Sequence, residues 1–342
     1  DVRDYRFARR VLANGDIGFA EGHMAGEWET PHLAVLLETI AANYDHIRSV
    51  VDGNPVMRVI NRLSHRRRRN SRSGSRKNIH AHYDLGNAFY AAWLDPTMTY
   101  SSARFSAPTE SLDAAQTAKY AALARMMDLQ PGQTVLEIGC GWGGFAEYAA
   151  REIGAHVTGV TISQEQHDFA RKRLFEAGLA ERTDIRMLDY RDVEGRFDRV
   201  ASIEMFEAVG KEYWPAYFDK IHEILVPGGR AGLQIITIQD ALFEDYNSRP
   251  DFIQKYVFPG GRLRPVIEQS GLDWQAVERF GNDYADTLAL WDQRFQAAWP
   301  DIRRMGGFDE RFRRLWRFYL AYCEAGFRSG RTDVIQLALT RA

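Results

Sequence analysis

The chain has 342 residues, of which 45% are hydrophobic and 26% charged, and its formal net charge is −2. This composition is typical of a globular protein with one large and one small domain, and the charge disfavours general nucleic-acid binding. The two cysteines, Cys140 and Cys323, require no disulfide framework and fit a cytoplasmic protein. No apolar run is long enough for a membrane span, so any membrane role is expected to be peripheral.

Residues 1–62 are predicted to form a small, mainly helical N-terminal domain. A short helix is predicted near 5–12, and the glycine-rich stretch 15–22 predicts a turn. Pro31 suits the first turn of an amphipathic helix whose apolar positions continue to Ile40.

Residues 63–78 are predicted to form a polybasic flexible linker. Between His65 and Lys77 the chain is rich in arginine and has no apolar residue to bury. The segment is either a solvated tether or a strip that binds anionic lipid, where each basic residue contributes about 1 kcal/mol near the surface. Nucleic-acid binding is disfavoured because no aromatic residues are interleaved for base stacking.

The remaining residues, 79–342, are predicted to form one α/β domain. Strands are predicted at 134–138, 156–161, 184–188, 197–203 and 231–238, with a helix between each successive pair. Further elements are a helix over 112–129, a helix over 213–225, and β-type runs at 273–280 and 334–340. This alternation predicts a doubly wound, mostly parallel sheet. The stretch from about 240 to 270 does not fit the alternation and is predicted to be an insertion that covers a pocket.

The most informative local signal is a glycine loop after the first predicted strand. The strand ends in Glu137, and Gly139, Gly141 and Gly143 follow at alternate positions before a helical pattern. A strand, a tight glycine turn and a helix in this order bind nucleotides. The spacing differs from the dinucleotide fingerprint and resembles the first motif of S-adenosylmethionine-dependent methyltransferases.

Two further segments are candidates for cofactor binding. The second strand has no acidic residue at its tip, where a ribose partner is usual, so Thr161 and Gln166 are the candidates there. After the third strand, Asp189 and Tyr190 are candidates for contacting adenine by hydrogen bonding and stacking.

Ordered motifs extend the resemblance over nearly the whole chain. They are His82–Asn87 with Leu94–Ser102, the glycine loop with Cys140 and Trp142, Met205–Gly210, Lys255–Gly261 and Gly281–Tyr284. These motifs resemble the cyclopropane-fatty-acyl-phospholipid synthases, and residues 15–28 resemble the N-terminal domain of the longer bacterial members. The resemblance implies a seven-stranded class I methyltransferase fold that is Rossmann-like.

The resemblance also implies the cofactor and its contacts. S-adenosylmethionine is the expected methyl donor, with S-adenosylhomocysteine as product. The cofactor-contacting positions that the resemblance implies are Tyr100, Ser101, Gly139, Thr161, Ile162 and Gln166. No cluster of histidine and cysteine has metal-ligand spacing, so we expect no metal.

The expected substrate is an unsaturated fatty acyl chain, usually within a membrane phospholipid. Methylation of its double bond leaves a carbocation, which aromatic faces can stabilise. Tyr284 is the first candidate for this role. The candidates for substrate binding are His82, Trp142, Phe206, Ile236, Ile238 and Phe258.

Removal of a proton decides the product. Cyclopropane-forming members hold a bicarbonate ion as the base, and the resemblance implies that Glu207, Tyr284 and the Ile238 backbone are the retained parts of that site. The family's cysteine is Ser102 here and its histidine is Ile236, which cannot donate a hydrogen bond from its side chain. A bicarbonate site is therefore weakened, and Glu207 is expected to act as the base if burial raises its pKa.

We therefore predict a methyltransferase that forms a methyl-branched acyl chain. The alternatives are a full cyclopropane synthase, a methyltransferase acting on a soluble small molecule, and a lipid-binding protein without catalysis. The linker and residues 1–62 favour a lipid substrate. We expect a homodimer at the inner face of the cell membrane, with residues 1–62 contributing to lipid or dimer contacts.

Overall fold

A computed structural model describes residues 1–44, 46, 85–107, 109–238 and 258–342, with the backbone alone for 258–262. The described strands are β1 (Thr134–Ile138), β2 (His156–Thr161), β3 (Thr183–Met187), β4 (Phe197–Ile203), β5 (Leu225–Ile238), β6 (Phe258–Pro259), β7 (Leu272–Arg279) and β8 (Thr332–Arg341). Seven of them follow the order β3-β2-β1-β4-β5-β8-β7, and the two-residue β6 pairs with β5. Strands β1 to β5 are parallel and β7 is antiparallel to β8. The predicted class I methyltransferase fold is confirmed.

The described helices flank this sheet or pack among themselves. They are α1 (Arg6–Asn14), α2 (Asp16–Met24), α3 (Leu33–Ala42), α4 (Asn87–Ala91), α5 (Leu112–Met126), α6 (Gly144–Tyr148), α7 (Gln164–Glu176), α8 (Trp214–Ile224), α9 (Gly260–Gln269), α10 (Gly281–Arg304) and α11 (Glu310–Arg328). A π-helical turn, Ala149–Ile153, continues α6. Among the residues that the structure describes, no helix is long and apolar enough to cross a bilayer.

The position of β1 defines where a ligand is expected to bind. This strand lies between β2 and β4, and its Val135, Leu136 and Ile138 are fully buried. The chain leaves β1 towards β2 on one side, whereas β4 lies on the other. In open parallel sheets such a switch point leaves a crevice at the carboxyl ends of the strands, where ligands bind.

Most predicted strands match the structure, but one predicted helix is wrong. The predicted strands at 134–138, 156–161 and 197–203 coincide with β1, β2 and β4. Between β3 and β4 the chain forms only a 3-10 turn, Tyr190–Asp192, because residues 188–196 are too few for a helix and its two connections. Strand β5 begins earlier than predicted, directly after α8.

The described residues divide into two compact units, and the first contains the N-terminal helices. This unit combines α1 to α3 with α10 and α11, and includes an apolar cluster around Trp28 and Phe318. Helices α10 and α11, predicted as part of the domain 79–342, fall in this unit, where α11 packs against α2 and α3 and α10 packs against α11. The packing of α11 on α2 and α3 has no local sequence signal because the partners lie far apart along the chain.

The predicted turn at 15–22 is confined to Gly15, which has a φ of +60° and separates α1 from α2. Helix α2 occupies the rest of the stretch, where Gly18 and Gly22 serve close packing. A Cβ at Gly18 would lie 2.0 Å from the carbonyl oxygen of Arg10, and one at Gly22 would lie 3.1 Å from the Trp28 ring. Glycine therefore permits α1, α2 and Trp28 to approach one another.

The second unit contains the parallel part of the sheet with α4 to α9. Its core lies where α5, α6 and α7 cover β1 and β2, around residues such as Leu123, Phe145 and Leu174. Residues 63–78 and most of the predicted insertion lie outside the described residues, although α9 falls within its last part. The predicted domain boundaries therefore stay predictions.

Candidate active site

The glycine loop folds back over the end of β2. The backbone N–H groups of Gly139 and Cys140 both donate to the carbonyl oxygen of Val160, at 2.9 and 3.0 Å. Gly139 has a φ of +79°, and a Cβ there would lie 2.6 Å from Cγ of Met205. Only glycine fits this position, because any other residue would be strained and would clash.

Glu137 lies at the end of β1 with its carboxyl group buried. Its Oε2 has no hydrogen-bond partner among the described residues. Burial raises the pKa of this carboxyl to about 8, opposed by the nearby positive charge of Lys119. A buried acceptor without a partner costs free energy unless a ligand supplies a donor. The loop and this oxygen together fit S-adenosylmethionine, which carries a cationic ammonium group and hydroxyl donors.

The structure brings the predicted residues at the end of β2 together. Thr161 Oγ1 donates to Gln166 Oε1 at 3.0 Å, and both residues are buried. The Ser163 hydroxyl caps α7 by accepting from the Gln166 backbone N–H at 3.4 Å. Ile162, between Thr161 and Ser163 in the chain, is half-buried. These side chains form a polar cluster at the end of β2, and their contact with the ribose stays a prediction.

Asp189 and Tyr190 follow β3, but Asp189 already has a strong partner. Its carboxylate accepts from Arg191 Nε at 2.8 Å and from Nη2 at 2.5 Å. The Tyr190 ring packs edge-on against Tyr217, with centroids 5.4 Å apart, and burial raises the pKa of Tyr190 to about 12. Contact of these two residues with adenine stays a prediction.

Tyr100, Ser101 and Ser102 lie in a loop between α4 and α5. The Tyr100 ring packs against Tyr90 and Trp93, with centroids 5.4 and 5.8 Å apart. Ser101 and Ser102 are buried, and the Ser102 hydroxyl donates to the carbonyl oxygen of Ala103 at 2.9 Å.

Glu207 follows β4 in a 3-10 turn, Phe206–Ala208, and is buried. Its Oε1 accepts from the backbone N–H of Ile236 at 2.7 Å, whereas its Oε2 has no hydrogen-bond partner among the described residues. Burial raises the pKa of this carboxyl to about 8, and the negative charge of Glu204 raises it further, against the opposing bond from Ile236. A carboxyl group in these surroundings binds a proton more strongly than an exposed one, and the role of Glu207 as a base stays a prediction.

The aromatic candidates in the second unit differ in their surroundings. Trp142 Nε1 donates to Asn87 Oδ1 at 2.6 Å, and its ring lies 5.0 Å from Tyr90. The Phe206 ring packs against three other rings with centroids 4.9 to 5.7 Å apart, namely Trp214, Tyr217 and Phe218. Substrate contact by Phe206 stays a prediction, since these neighbours surround its ring.

The remaining predicted residues are described in part. Tyr284 lies in α10 of the first unit, where its ring packs 4.5 Å from Phe327 and 6.1 Å from Trp291. Ile238 ends β5 and is buried. His82 and the side chain of Phe258 lie outside the described residues.

Comparison with known proteins now decides the family. A family model described as mycolic acid cyclopropane synthetase matches residues 70–337. The chain belongs to this family. It is an S-adenosylmethionine-dependent methyltransferase of a family of lipid-modifying enzymes.

Curated relatives match nearly the whole methyltransferase. The tuberculostearic acid methyltransferase UfaA1 of Mycobacterium tuberculosis is 41% identical over 352 residues, which cover 98% of this chain and 81% of the relative. The cyclopropane-fatty-acyl-phospholipid synthase of Escherichia coli is 36% identical over 355 residues, which cover 99% of this chain and 87% of the relative.

A solved structure supports the cofactor assignment. The mycolic acid cyclopropane synthase CmaA1, complexed with S-adenosylhomocysteine and CTAB, has a TM-score of 0.71 and 28% identity, and the match covers 78% of this chain and 98% of that one. The cyclopropane synthase MmaA2 from Mycobacterium tuberculosis has a TM-score of 0.72 and 27% identity with the same coverage.

Four polar residues of the methyltransferase were not predicted from the sequence, of which three are buried and Glu204 is half-buried. Gln116 and Lys119 lie on α5, Glu204 directly follows β4 and Gln234 lies in β5. A signal existed for Lys119, because it lies four residues after Ala115 and four before Leu123 on the buried face of α5. A charged residue in an otherwise apolar stripe indicates a buried partner.

Proposed function

We propose that this enzyme transfers the methyl group of S-adenosylmethionine to the double bond of an unsaturated fatty acyl chain in a membrane phospholipid, giving a methyl-branched chain. The observation that carries the proposal is the environment of Glu207. A buried carboxyl whose pKa is about 8 and whose Oε2 is unpartnered among the described residues is suited to accept a proton from the substrate.

The chain's own residues supply orientation and proton removal. The glycine loop, Glu137, Thr161 and Gln166 would hold S-adenosylmethionine, which would supply an electrophilic methyl group. The double bond of the acyl chain would provide the electron pair for the new carbon–carbon bond, while the methyl–sulfur bond breaks and its electron pair stays on sulfur as S-adenosylhomocysteine leaves. The adjacent chain carbon is left with a positive charge. Glu207 then accepts a proton from a chain carbon, and the electron pair of that carbon–hydrogen bond forms a new double bond. Cyclopropane formation would instead require loss of the proton from the transferred methyl group.

Several contacts disfavour a bicarbonate ion in this site. The Ser102 hydroxyl already donates to the Ala103 carbonyl oxygen, and the Ile236 N–H already donates to Glu207. The Glu204 carboxylate also lies close enough to raise the pKa of Glu207. An anion beside these two carboxyl groups meets repulsion and few free donors. The name of the relative UfaA1, which is 41% identical, denotes a methyltransferase rather than a cyclopropane synthase.

The product of the reaction tests this proposal. Purified enzyme is incubated with S-adenosylmethionine and liposomes of monounsaturated phospholipid, and the acyl chains are released for analysis. A methylated alkene and a cyclopropane are isomers of equal mass, so mass alone does not separate them. Ozonolysis cleaves the retained double bond, and proton NMR detects ring methylene protons. We expect cleavage and no ring signal, whereas a cyclopropane as the main product would refute the branched outcome.

The acceptor and the membrane contact need separate controls. The same assay with the free fatty acid distinguishes a phospholipid acceptor from a diffusible one. Co-sedimentation with anionic and with neutral liposomes at low and high salt tests the lipid-binding role of residues 63–78, since screening weakens such binding. Analytical ultracentrifugation tests the expected homodimer.

A further inference from the structure

Three buried side chains and one half-buried side chain, that of Glu204, hold the short segment formed by Ser101 and Ser102. We call these side chains the serine clamp: Gln116, Lys119, Glu204 and Gln234. Lys119 Nζ donates to the Ser101 hydroxyl at 2.6 Å, and Gln116 Nε2 donates to the Ser101 carbonyl at 2.9 Å. Glu204 Oε1 accepts from the Ser102 N–H at 2.8 Å, and Gln234 Nε2 donates to the Ser102 carbonyl at 3.4 Å.

The clamp is connected within itself and to the sheet. Gln234 Nε2 donates to Glu204 Oε1 at 2.7 Å, and Gln336 of β8 donates to Gln234 Oε1 at 3.0 Å. Gln336 also donates to the backbone carbonyl of Lys119 at 3.2 Å. Such a network restricts the rotamers of its members, so the position of Ser101 is set by the fold rather than by solvent.

Glu204 adopts a backbone conformation that is costly for a residue with a side chain. Its φ is +49°, in the left-handed region, which costs a non-glycine residue on the order of 1 kcal/mol. Its backbone N–H donates to the Gln234 carbonyl at 2.9 Å, and its carboxylate accepts from Ser102 and from Gln234. These bonds offset the cost and fix the carboxylate beside the serine segment.

Lys119 is the cation of this cluster. Its side chain is fully buried, and its ammonium nitrogen lies 4.8 Å from the centroid of the Tyr120 ring. Burial lowers the pKa of Lys119 to about 7, while the negative charges of Glu204, Asp95 and Glu137 favour its protonated form. A buried lysine is costly, and its presence beside three carboxyl groups calls for a role beyond filling space.

The Lys119 bond determines what the Ser101 hydroxyl can still do. A hydroxyl has one donor hydrogen and two acceptor lone pairs, and an ammonium group is only a donor. Ser101 Oγ therefore accepts from Lys119, and its own hydrogen remains for an acceptor on another side. Ser101 is one of the predicted cofactor contacts, and Glu137 of the glycine loop lies within electrostatic reach of the same ammonium group.

We propose that Lys119 is a positioning residue for the methyl donor: its ammonium group orients the Ser101 hydroxyl for donation to an acceptor atom of S-adenosylmethionine and balances the carboxylate of Glu137. The inference rests on the donor half of the proposed function and deepens it. Lys119 itself makes no contact with the cofactor in this proposal, so its effect passes through Ser101 and Glu137.

A double-mutant cycle on cofactor binding tests the coupling. The dissociation constants of S-adenosylmethionine and S-adenosylhomocysteine are measured by calorimetry, without lipid, for wild type, Lys119→Met, Ser101→Ala and the double variant. Losing a hydrogen bond to a charged or oriented group weakens binding by about tenfold or more. We expect each single variant to show this loss and the double variant to bind no worse than the weaker single variant by more than about twofold.

Two further variants separate positioning from simple stability. Tyr120→Phe, next to Lys119 on α5, removes a buried hydroxyl that is hydrogen-bonded to Thr99 at 2.6 Å. We expect it to lower the melting temperature without changing the dissociation constant. Lys119→Gln retains a donor for Ser101 but no charge, so it should recover part of the binding that Lys119→Met loses.

The outcomes are decisive in either direction. Unchanged binding in Lys119→Met, or additive losses in the double variant, would overturn the proposal. If Lys119→Met does not fold, Ser101→Ala decides, since unchanged binding in that variant would contradict the proposed donation from the Ser101 hydroxyl to the cofactor and overturn the proposal. Because no lipid is present, failure of the acyl-product assay leaves this result standing, and the two proposals fail separately.

Discussion

Glu137 and Glu207 are two buried carboxyl groups in similar positions with opposite electrostatic neighbours. Glu137 is the penultimate residue of β1, and Glu207 follows the adjacent strand β4. In each, burial raises the pKa to about 8, and in each the Oε2 atom has no partner among the described residues. Lys119 lowers the pKa of Glu137, whereas Glu204 raises that of Glu207.

Under the proposed function, this difference in neighbours distinguishes Glu137, which would bind the cofactor, from Glu207, which would act as the base. A cation beside Glu137 favours its ionised form, which suits the recognition of a positively charged cofactor. An anion beside Glu207 increases its affinity for a proton, which suits removal of a proton from the substrate. Glu137 and Glu207 are both buried, and we assign them different roles because Lys119 is the charged neighbour of the first and Glu204 that of the second. The following variants test that assignment.

The largest expected effect is on catalysis by Glu207→Gln. The amide retains an acceptor for the Ile236 N–H but cannot take a proton, so kcat should fall by about a hundredfold or more. The dissociation constant of S-adenosylmethionine should stay within about twofold of wild type, since the proposed cofactor contacts lie at Glu137 and the glycine loop and not at Glu207. Glu212→Gln, an exposed carboxyl in the following 3-10 turn, serves as the control and should retain kcat. Near-normal turnover in Glu207→Gln would exclude this residue as the base.

Glu137→Gln should reverse this pattern. The variant cannot take on the negative charge that a bound cationic cofactor would favour at Glu137, and we expect S-adenosylmethionine to bind about tenfold or more weakly, with a smaller effect on kcat at saturation. The control is Glu147→Gln, which removes a carboxylate on α6 that pairs with Arg173 and Arg151. If Glu137→Gln and Glu147→Gln weaken binding equally, the effect is a general loss of charge near the loop. That result would contradict a specific cofactor-binding role for Glu137.

The two regions also differ in how far the sequence predicts them. The strand, the glycine loop and Glu137 are adjacent in the chain, so their chemistry and their place at the end of β1 follow from local pattern. The surroundings of Glu207 depend on Ile236, Glu204 and Ser102, which three separate segments contribute. No local pattern indicates that the Ile236 backbone N–H binds Glu207 or that Glu204 holds Ser102.

The contacts of Lys119, like those of Glu207, can be predicted from the sequence only in part. Its position on the buried face of α5 is readable from helical spacing, but its partner Ser101 lies in a loop that only tertiary packing brings to the helix. Likewise, the glycines at 15–22 predict a turn by composition, and the structure places that turn at Gly15 alone, while Gly18 and Gly22 permit close packing around α2. Composition gives the permitted conformations, and packing decides among them.

The smallest effect is expected for a variant that changes the charged neighbour of Glu207 and leaves Glu207 itself intact. Glu204→Gln retains an acceptor for the Ser102 N–H and removes the negative charge that raises the pKa of Glu207. A base with a lower pKa is deprotonated at lower pH, so the acidic limb of the kcat–pH profile should move towards acid.

The size and sign of this shift distinguish electrostatics from structural damage. We expect the acidic limb to move by about one pH unit or less. At pH values above this limb, kcat should change by a few fold, because Glu207 is a weaker base in the variant. Loss of the clamp geometry would instead lower kcat at every pH and leave the limb in place. A limb that moves towards alkali would contradict the assigned role of Glu204, because removing a negative neighbour can only lower the proton affinity of Glu207 through charge.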